Sequence, residues 1–143
     1  MINDDISRRA GKIKLLLMDC DGVLTDGKLY YTENGESMKV FNVRDGQGLV
    51  SWHKAGFRSG IISGRNATKI LEARAGELGM HYVKARSLDK VKDFADILRD
   101  AKVASEEVAY IGDDIGDRGL MGKVGLPIAV ADAVLELLPD VLY

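Results

Sequence analysis

An acidic pair follows directly after an apolar run in the segment "LLLMDCDGVLTDG", residues 15–27. If the run is a strand, Asp19 and Asp21 face the same side and lie about 6–7 Å apart. Their repulsion would raise the pKa of one carboxyl group unless a cation neutralised it. Gly22, next in the chain, would let the backbone turn sharply and come close to a ligand. The segment therefore indicates either an exposed acidic strand end or a site where a cation meets a nucleophilic carboxylate.

A second candidate segment, "IISGR" at residues 61–65, ends an apolar run with a hydroxyl group, a glycine and a cation. A hydroxyl and backbone N–H groups at a strand-to-helix turn form a cradle for phosphate. Ser63 and Gly64 would supply those donors, and Arg65 would bind an anion. The alternative is that Ser63 only shapes the turn and that Arg65 is a solvated charge.

Three more carboxylates, Asp113, Asp114 and Asp117, follow the apolar run in "YIGDDIGD", residues 110–117. Hard oxygen ligands from a few carboxylates suit Mg²⁺, which keeps several waters and shares its shell with substrate phosphate. The alternative for Asp114 or Asp117 is an N-cap, and we expect at least one of them to have that role.

Lys90 in "RSLDKVKDF" lies near the start of a predicted helix, where its ammonium group can reach the carboxyl edge of a sheet. A lysine at a helix start is more often a surface residue, and Lys84, Lys92 and Arg86 compete for the role on composition alone. Together, the strand ends supply paired acids, a hydroxyl group, a cation and further acids. These are the parts needed for phosphoryl transfer through an aspartyl intermediate: nucleophile, general acid, phosphate donors, metal and charge neutraliser.

Five apolar runs must position these residues: "KIKLLLMD", "FRSGIIS", "MHYVKA", "EVAYIGDD" and "LPIAVAD". Their continuous hydrophobicity predicts parallel strands that are buried on both faces. Helical segments lie between them, which predicts an α/β fold with a three-layer, doubly wound, Rossmann-like parallel sheet. We expect a single domain over residues 1–143, because no repeat, low-complexity segment or linker divides the chain.

Four segments are predicted to be helices: "DGQGLVSWHKAG", "NATKILEARAGELG", "SLDKVKDFADILRDAK" and "ADAVLELLPD". Asn66 is a possible N-cap of the second helix, and Ser87 or Asp89 of the third. Pro139 would close the fourth.

Residues 28–43, "KLYYTENGESMKVFNV", break the strand–helix rhythm. Their alternating pattern and the dipeptide Asn34-Gly35 predict an antiparallel β-hairpin inserted after the first strand. Such an insertion would lie over the carboxyl end of the sheet, where open α/β folds bind ligands.

The composition of the 143 residues is that of an ordinary globular protein, with 46% hydrophobic and 29% charged residues. The formal net charge of −2 gives no basic footprint for nucleic acid. No apolar run approaches the roughly 18 residues of a membrane span, and the polar start "MINDDISRRAGK" shows no signal peptide. The single Cys20 excludes an internal disulfide and favours a reducing cytoplasm. We interpret Cys20 as a small buried filler, with a reactive or ligating thiol as the alternative.

The ordered set "DCDGVLTDG", "IISGR", Lys90 and "GDD" resembles the haloacid dehalogenase superfamily of phosphatases. The longer strings "MDCDGVLTDG", "KVFNVRDGQGL", "IISGR" and "EVAYIGDDIGD" are similar to its small capless subgroup, which contains 3-deoxy-D-manno-octulosonate 8-phosphate phosphatase. The similarity runs from about Ile13 to Tyr143, nearly the whole chain. The subgroup usually continues into a glycine-rich tail beyond the point where this sequence stops.

The resemblance implies a role for each motif residue. Asp19 would be the nucleophile, Asp21 the acid/base, and Ser63 and Lys90 would bind the phosphate. Mg²⁺ would be bound by Asp19, Asp113 and the backbone carbonyl of Asp21. The other two acids of the last motif, Asp114 and Asp117, would lie beyond the direct ligands or cap a helix.

Arginines are the candidates for substrate recognition, because a guanidinium group binds a carboxylate bidentately. The predicted substrate-binding residues are Gly22, Gly64, Arg65, Arg44 and Arg86. A phosphorylated sugar acid fits such a set. The resemblance implies 3-deoxy-D-manno-octulosonate 8-phosphate, in lipopolysaccharide precursor synthesis, and the alternative is a nine-carbon sugar acid 9-phosphate.

Rival classes are distinguished by where their acids lie. A signalling receiver domain carries its phosphoacceptor at the end of the third strand, but "HYVKA" ends without an aspartate. The phosphorylation domain of an ion pump would lack a carboxylate at the position of Asp21. A non-catalytic, phosphatase-like binding module remains as an alternative, although the intact acids argue against it.

The hairpin carries too much apolar surface for a lone two-stranded ribbon in water: Leu29, Tyr31, Met38, Val40 and Phe41. The resemblance points to ring-shaped homotetramers in which hairpins roof adjacent sites. We therefore expect a homotetramer, with Arg44 or its neighbours reaching an active site. The alternative is a monomer whose hairpin folds back on its own sheet.

Overall fold

The continuous apolar runs form the centre of the fold, as their patterning predicts. The structure is a computed structural model that describes residues 3–143. Its strands are β1 (Leu15–Met18), β2 (Tyr30–Thr32), β3 (Gly35–Met38), β4 (Arg58–Ile62), β5 (Tyr82–Lys84), β6 (Val108–Gly112) and β7 (Leu126–Ala129). Five of them form a parallel sheet in the order β5-β4-β1-β6-β7, and β2 and β3 form a separate antiparallel pair. β1 is thus the central strand, and its carboxyl end lies at the middle of one edge of the sheet.

Helices cover both faces of this sheet. They are α1 (Asp4–Ala10), α2 (Val43–Lys54), α3 (Thr68–Leu78), α4 (Lys90–Ala101) and α5 (Arg118–Met121). Side chains alternate along β1, so Leu15 and Leu17 pack with Phe94 of α4 on one face. On the other face, Met18 packs with Leu71 of α3. The predicted three-layer, doubly wound architecture is confirmed.

The start of α4 places a lysine at the sheet edge. Asp89 is the N-cap and accepts a hydrogen bond from the backbone N–H of Lys92 at 3.1 Å. Of the two predicted caps, Asp89 rather than Ser87 therefore has this role, and Lys90 is the first residue of the helix.

Two other helix predictions need correction. The N-cap position of α3 is Ala67, which makes no side-chain hydrogen bond, so the predicted cap at Asn66 is wrong. The last predicted helix forms a short 3₁₀ helix, Leu135–Asp140, with Pro139 inside it. Proline has no backbone N–H and does not support an α-helical ladder at this position.

The predicted hairpin is present and its strands occupy the middle of the segment 28–43. Tyr30 pairs with Met38, and Thr32 pairs with Gly35. Gly35 has a φ of +101°, a conformation that glycine adopts without a steric cost. After β3 the chain continues into α2.

The prediction of one domain over residues 1–143 stays a prediction, and its first two residues lie outside the described range. From residue 3 to residue 143, no helix is long and apolar enough to cross a membrane.

Candidate active site

A cavity of about 350 Å³ opens where the carboxyl ends of β1, β4 and β6 meet the start of α4. Parallel strands end at the same sheet edge, so residues far apart in sequence converge there. The predicted residues among those lining it are Asp19, Asp21, Ser63, Gly64, Arg65, Lys90, Asp113, Asp114 and Asp117.

Lys90 is the cationic centre of this cavity. Its Nζ donates to Asp19 Oδ2 at 2.8 Å, to Asp117 Oδ1 at 2.7 Å and to the hydroxyl of Tyr110 at 3.2 Å. Burial lowers the pKa of Lys90, but the carboxylates of Asp19 and Asp117 outweigh burial and hold that pKa above its ordinary value. The ammonium group therefore stays charged and lies against the predicted nucleophile.

Asp117 is fully buried and holds Lys90 in place. Besides Lys90, its Oδ1 accepts a hydrogen bond from the Tyr110 hydroxyl at 2.6 Å. Its Oδ2 accepts from the backbone N–H groups of Asp113 and Asp114 at 3.0 and 3.3 Å. Both oxygens are thus occupied by donors from the protein, which makes Asp117 an organiser of the turn rather than a free ligand.

Asp19 and Asp113 are the carboxylates best placed to bind a cation. One oxygen from each of Asp19, Asp113 and Asp117 lies within 4.8 Å of the others. Oδ1 of Asp113 is buried without a hydrogen-bond partner in the described part of the chain. Each oxygen of Asp117 already accepts two hydrogen bonds, whereas each oxygen of Asp19 accepts one, from the Cys20 N–H at 2.6 Å or from Lys90. Asp19 and Asp113 are therefore the candidate ligands.

The charges of these two carboxylates are poorly balanced without a cation. Burial raises the pKa of Asp19, and Lys90 offsets only part of this rise. Burial, together with repulsion from Asp19 and Asp117, raises the pKa of Asp113 to about 6. A divalent cation would stabilise the charged forms of both carboxyl groups. It would also be bound by the unpartnered oxygen of Asp113, so these residues fit Mg²⁺.

Gly22 makes room for Asp113. A Cβ atom built on Gly22 would lie 1.9 Å from Oδ2 of Asp113, and the glycine has a φ of +86°. A larger residue at position 22 would therefore displace the Asp113 carboxylate. Gly22 therefore acts through this close approach and is not among the residues that line the cavity.

Asp21 lines the cavity and is held from one side only. Its Oδ1 accepts a hydrogen bond from Nζ of Lys39 at 2.5 Å, whereas its Oδ2 is buried without a partner among residues 3–143. Lys39 also donates to Oε1 of Glu36 at 2.7 Å. No sequence pattern singled out Lys39 or Glu36 as site residues. The one sequence feature that could have indicated them is the presence of charged side chains in an otherwise amphipathic hairpin.

The "IISGR" segment presents a free hydroxyl group. Ser63 is buried, and its Oγ has no hydrogen-bond partner in the described residues. Arg65 lines the cavity but binds the hairpin, through Glu36 Oε2 at 3.3 Å and the Tyr31 hydroxyl at 3.1 Å. The hydroxyl group is therefore available to a ligand, while the guanidinium group joins the hairpin to this loop.

Two predicted substrate-binding arginines lie outside the cavity of a single chain. Arg44 lines a separate cavity of about 420 Å³ together with Trp52. Arg86 is exposed and has a φ of +54°. Their roles in substrate binding stay predictions.

Two further residues have structural roles. Asp114 is exposed and caps the 3₁₀ helix Ile115–Asp117 by accepting a hydrogen bond from the Ile115 N–H at 2.7 Å. Cys20 is buried in the core, and burial raises the pKa of its thiol to about 12. The thiol is therefore protonated at neutral pH, in accord with a filler.

Known proteins resemble this chain over nearly its whole length, although no family model matches it. A 3-deoxy-D-manno-octulosonate 8-phosphate phosphatase of Yersinia pestis is 43% identical over 142 residues, which are 99% of this chain and 75% of the relative. A crystal structure of this phosphatase from Yersinia pestis has a TM-score of 0.94 at 44% identity, and the match covers 98% of this chain and 75% of that one.

Two further solved structures resemble this chain. A HAD superfamily hydrolase from Legionella pneumophila has a TM-score of 0.91 at 34% identity and covers 96% of this chain and 75% of its own. A 3-deoxy-D-manno-octulosonate 8-phosphate phosphatase from Moraxella catarrhalis, in complex with magnesium, phosphate and KDO, has a TM-score of 0.87 at 32% identity, covering 92% and 75%. The chain therefore belongs to the 3-deoxy-D-manno-octulosonate 8-phosphate phosphatase family of the haloacid dehalogenase superfamily and is a phosphomonoester hydrolase.

Proposed function

We propose that this enzyme hydrolyses 3-deoxy-D-manno-octulosonate 8-phosphate through a phosphorylated Asp19, with Mg²⁺ as its cofactor. One observation carries the proposal: three buried side-chain oxygens without partners line the same cavity as Asp19 and Lys90. They belong to Asp21, Ser63 and Asp113. Buried polar atoms are nearly always hydrogen-bonded, so three such oxygens in one cavity indicate a polar ligand.

Asp19 and Asp113 would hold the cation, with the backbone carbonyl of Asp21 as the expected third protein ligand. When bound, Mg²⁺ would neutralise charge on the phosphate and on the attacking carboxylate. Chelation is expected to abolish turnover.

The protein residues would divide the reaction into two displacements. In the first, a carboxylate oxygen of Asp19 bonds to phosphorus, the ester P–O bond breaks, and Asp21 gives its proton to the departing sugar oxygen. Lys90 and the hydroxyl of Ser63 donate to the phosphoryl oxygens while this happens. In the second, water attacks phosphorus, Asp21 takes the proton of that water, and the bond between Asp19 and phosphorus breaks to release phosphate.

The choice of substrate rests on the relatives. The Moraxella catarrhalis structure contains magnesium, phosphate and KDO, and the Yersinia pestis relative is named for the octulosonate 8-phosphate. Arg65 at the cavity, with Arg44 and Arg86 in an assembly, would recognise the sugar-acid carboxylate. We further propose that the enzyme acts in the cytoplasm, in lipopolysaccharide precursor synthesis, and that it is a homotetramer.

A turnover screen tests the proposal. We expect phosphate release from 3-deoxy-D-manno-octulosonate 8-phosphate to exceed release from a nine-carbon sugar acid 9-phosphate and from neutral sugar phosphates, with Mg²⁺ present. The Asp19→Asn variant is the control and is expected to be inactive. Preference for the nine-carbon substrate would refute the substrate assignment, and equal activity of Asp19→Asn would refute the mechanism.

A further inference from the structure

A buried ammonium group outside the proposed mechanism lies against the acid/base residue. The side chain of Lys39 is 1% exposed, and its Nζ is bonded to Asp21 Oδ1 at 2.5 Å and to Glu36 Oε1 at 2.7 Å. Lys39 is therefore a charged group held between two acids.

This contact joins the hairpin to the centre of the site. Lys39 directly follows β3 of the hairpin, whereas Asp21 follows β1 at the sheet edge. The chain of ion pairs continues, because the other carboxylate oxygen of Glu36 accepts from Nε of Arg65 at 3.3 Å. The acid/base residue and the "IISGR" loop are thus bridged through hairpin side chains.

The two oxygens of Asp21 are in different environments. Oδ1 is fixed by Lys39, and Oδ2 is buried, unpartnered and part of a residue that lines the cavity. Because a carboxylate rotates about its Cβ–Cγ bond, a fixed Oδ1 also fixes the direction of Oδ2. This rests on the proposed function, in which Asp21 transfers protons.

We propose that Lys39 is a positioning residue for Asp21, holding Oδ1 so that Oδ2 carries the proton in both displacements. In the first, the Oδ2 proton passes to the sugar oxygen as the ester P–O bond breaks. In the second, Oδ2 takes a proton from the attacking water as the bond from Asp19 to phosphorus breaks. Lys39 keeps its own protons throughout.

A substrate with a stable leaving group separates this role from a general loss of structure. The leaving group of p-nitrophenyl phosphate departs as an anion and needs no proton, whereas the sugar oxygen does. Hydrolysis of the phosphorylated Asp19 still needs Asp21. Lys39→Met, which keeps the apolar stem, is therefore expected to release one nitrophenolate per active site in a burst and then turn over slowly.

With the sugar phosphate, Lys39→Met should show no burst and should lose about 100-fold in kcat, the lower range of a general acid contribution. Lys39→Arg should recover part of this loss, because it restores a cation. Asp21→Asn should behave like Lys39→Met, and the double variant should be no worse than Asp21→Asn alone, because both changes remove one function. Lys28→Met, at an exposed lysine paired with Asp26, is the control and should leave both activities unchanged.

Loss of the nitrophenolate burst in Lys39→Met would overturn the proposal, since it would show that the whole site is disturbed. Sugar-phosphate turnover by Lys39→Met at the wild-type rate would also overturn it, as would additive losses in the double variant. Failure of the proposed function is a separate result. The wild-type enzyme would then hydrolyse p-nitrophenyl phosphate without phosphorylation of Asp19, and Asp19→Asn would remain active.

Discussion

Asp117 connects several parts of the site through hydrogen bonds within the protein. It receives hydrogen bonds from two side chains and two backbone N–H groups, and it ties the ammonium of Lys90 to the turn that carries Asp113. Gly112 is part of the same arrangement, because a Cβ atom there would lie 2.6 Å from Asp117 Oδ2.

We predict that Asp117→Asn lowers both stability and turnover. An amide has only one acceptor oxygen. Its NH₂ group would therefore face either Lys90 and Tyr110 or the backbone N–H groups of Asp113 and Asp114, which are all donors. The cost should be about 1–3 kcal/mol in the free energy of unfolding, and displacement of Lys90 should reduce kcat about 100-fold. Thermal unfolding and steady-state kinetics measure the two effects.

Asp114→Asn is the matched control for this change. Asp114 caps a 3₁₀ helix at the surface, and asparagine is an equally good cap. Wild-type stability is expected, and turnover should fall far less than in Asp117→Asn. If the two variants behaved alike, the organising role of Asp117 would be wrong.

Sequence spacing indicated which strand-end residues would lie together at one cavity, but not the side chains that bind them. Asp19, Ser63 and Asp113 follow apolar runs, and parallel strands bring such ends together by topology alone. Lys39 reaches Asp21 across 18 positions through a hairpin whose packing no periodicity describes. Tyr110 looked like one more apolar residue of a buried strand, yet its hydroxyl donates to a buried carboxylate.

The hairpin is the element that carries Lys39 and Glu36. Gly35 forms its turn with a φ of +101°, and a Cβ atom there would meet nothing within 4 Å. We predict that Gly35→Ala strains this turn by about 1–3 kcal/mol through its backbone alone. Faster amide hydrogen exchange in β2 and β3 and a lower kcat are expected, because Lys39 and Glu36 lose their support.

Gly76→Ala tests the same chemical change in another element. Gly76 lies inside α3, and its Cβ would also meet nothing within 4 Å. Alanine should stabilise the helix by about 1 kcal/mol without affecting turnover. Normal hairpin exchange in Gly35→Ala together with a reduced kcat would contradict the proposed link between the hairpin and the site.

As a whole molecule, the chain exposes apolar side chains around the hairpin. Leu29, Tyr31, Met38, Val40 and Val43 are each 46% to 82% exposed. Phe41 differs from the expectation, because it packs against the core and lies beneath the guanidinium group of Arg74. The exposed surface suits a second copy of the chain and motivates the proposed homotetramer.

We predict that Met38→Ser combined with Val40→Ser dissociates the assembly, since it removes apolar surface that subunits would bury. Light scattering at micromolar concentration should show a tetrameric mass for the wild type and a smaller one for the variant. Leu135→Ser is the control, because Leu135 is 78% exposed but distant in sequence from the hairpin. A monomeric, fully active wild type would rule out the tetramer.

The phosphorylated aspartate is the centre of the account and can be trapped directly. Asp21→Asn should accept a phosphoryl group from p-nitrophenyl phosphate and release it slowly. Acid quenching, proteolysis and mass spectrometry of the peptide that spans residues 15–27 would then locate the group. We predict one phosphoryl group on Asp19, formed only with Mg²⁺ present and absent from Asp19→Asn; a phosphoryl group on any other residue, or none during active turnover, would contradict the mechanism.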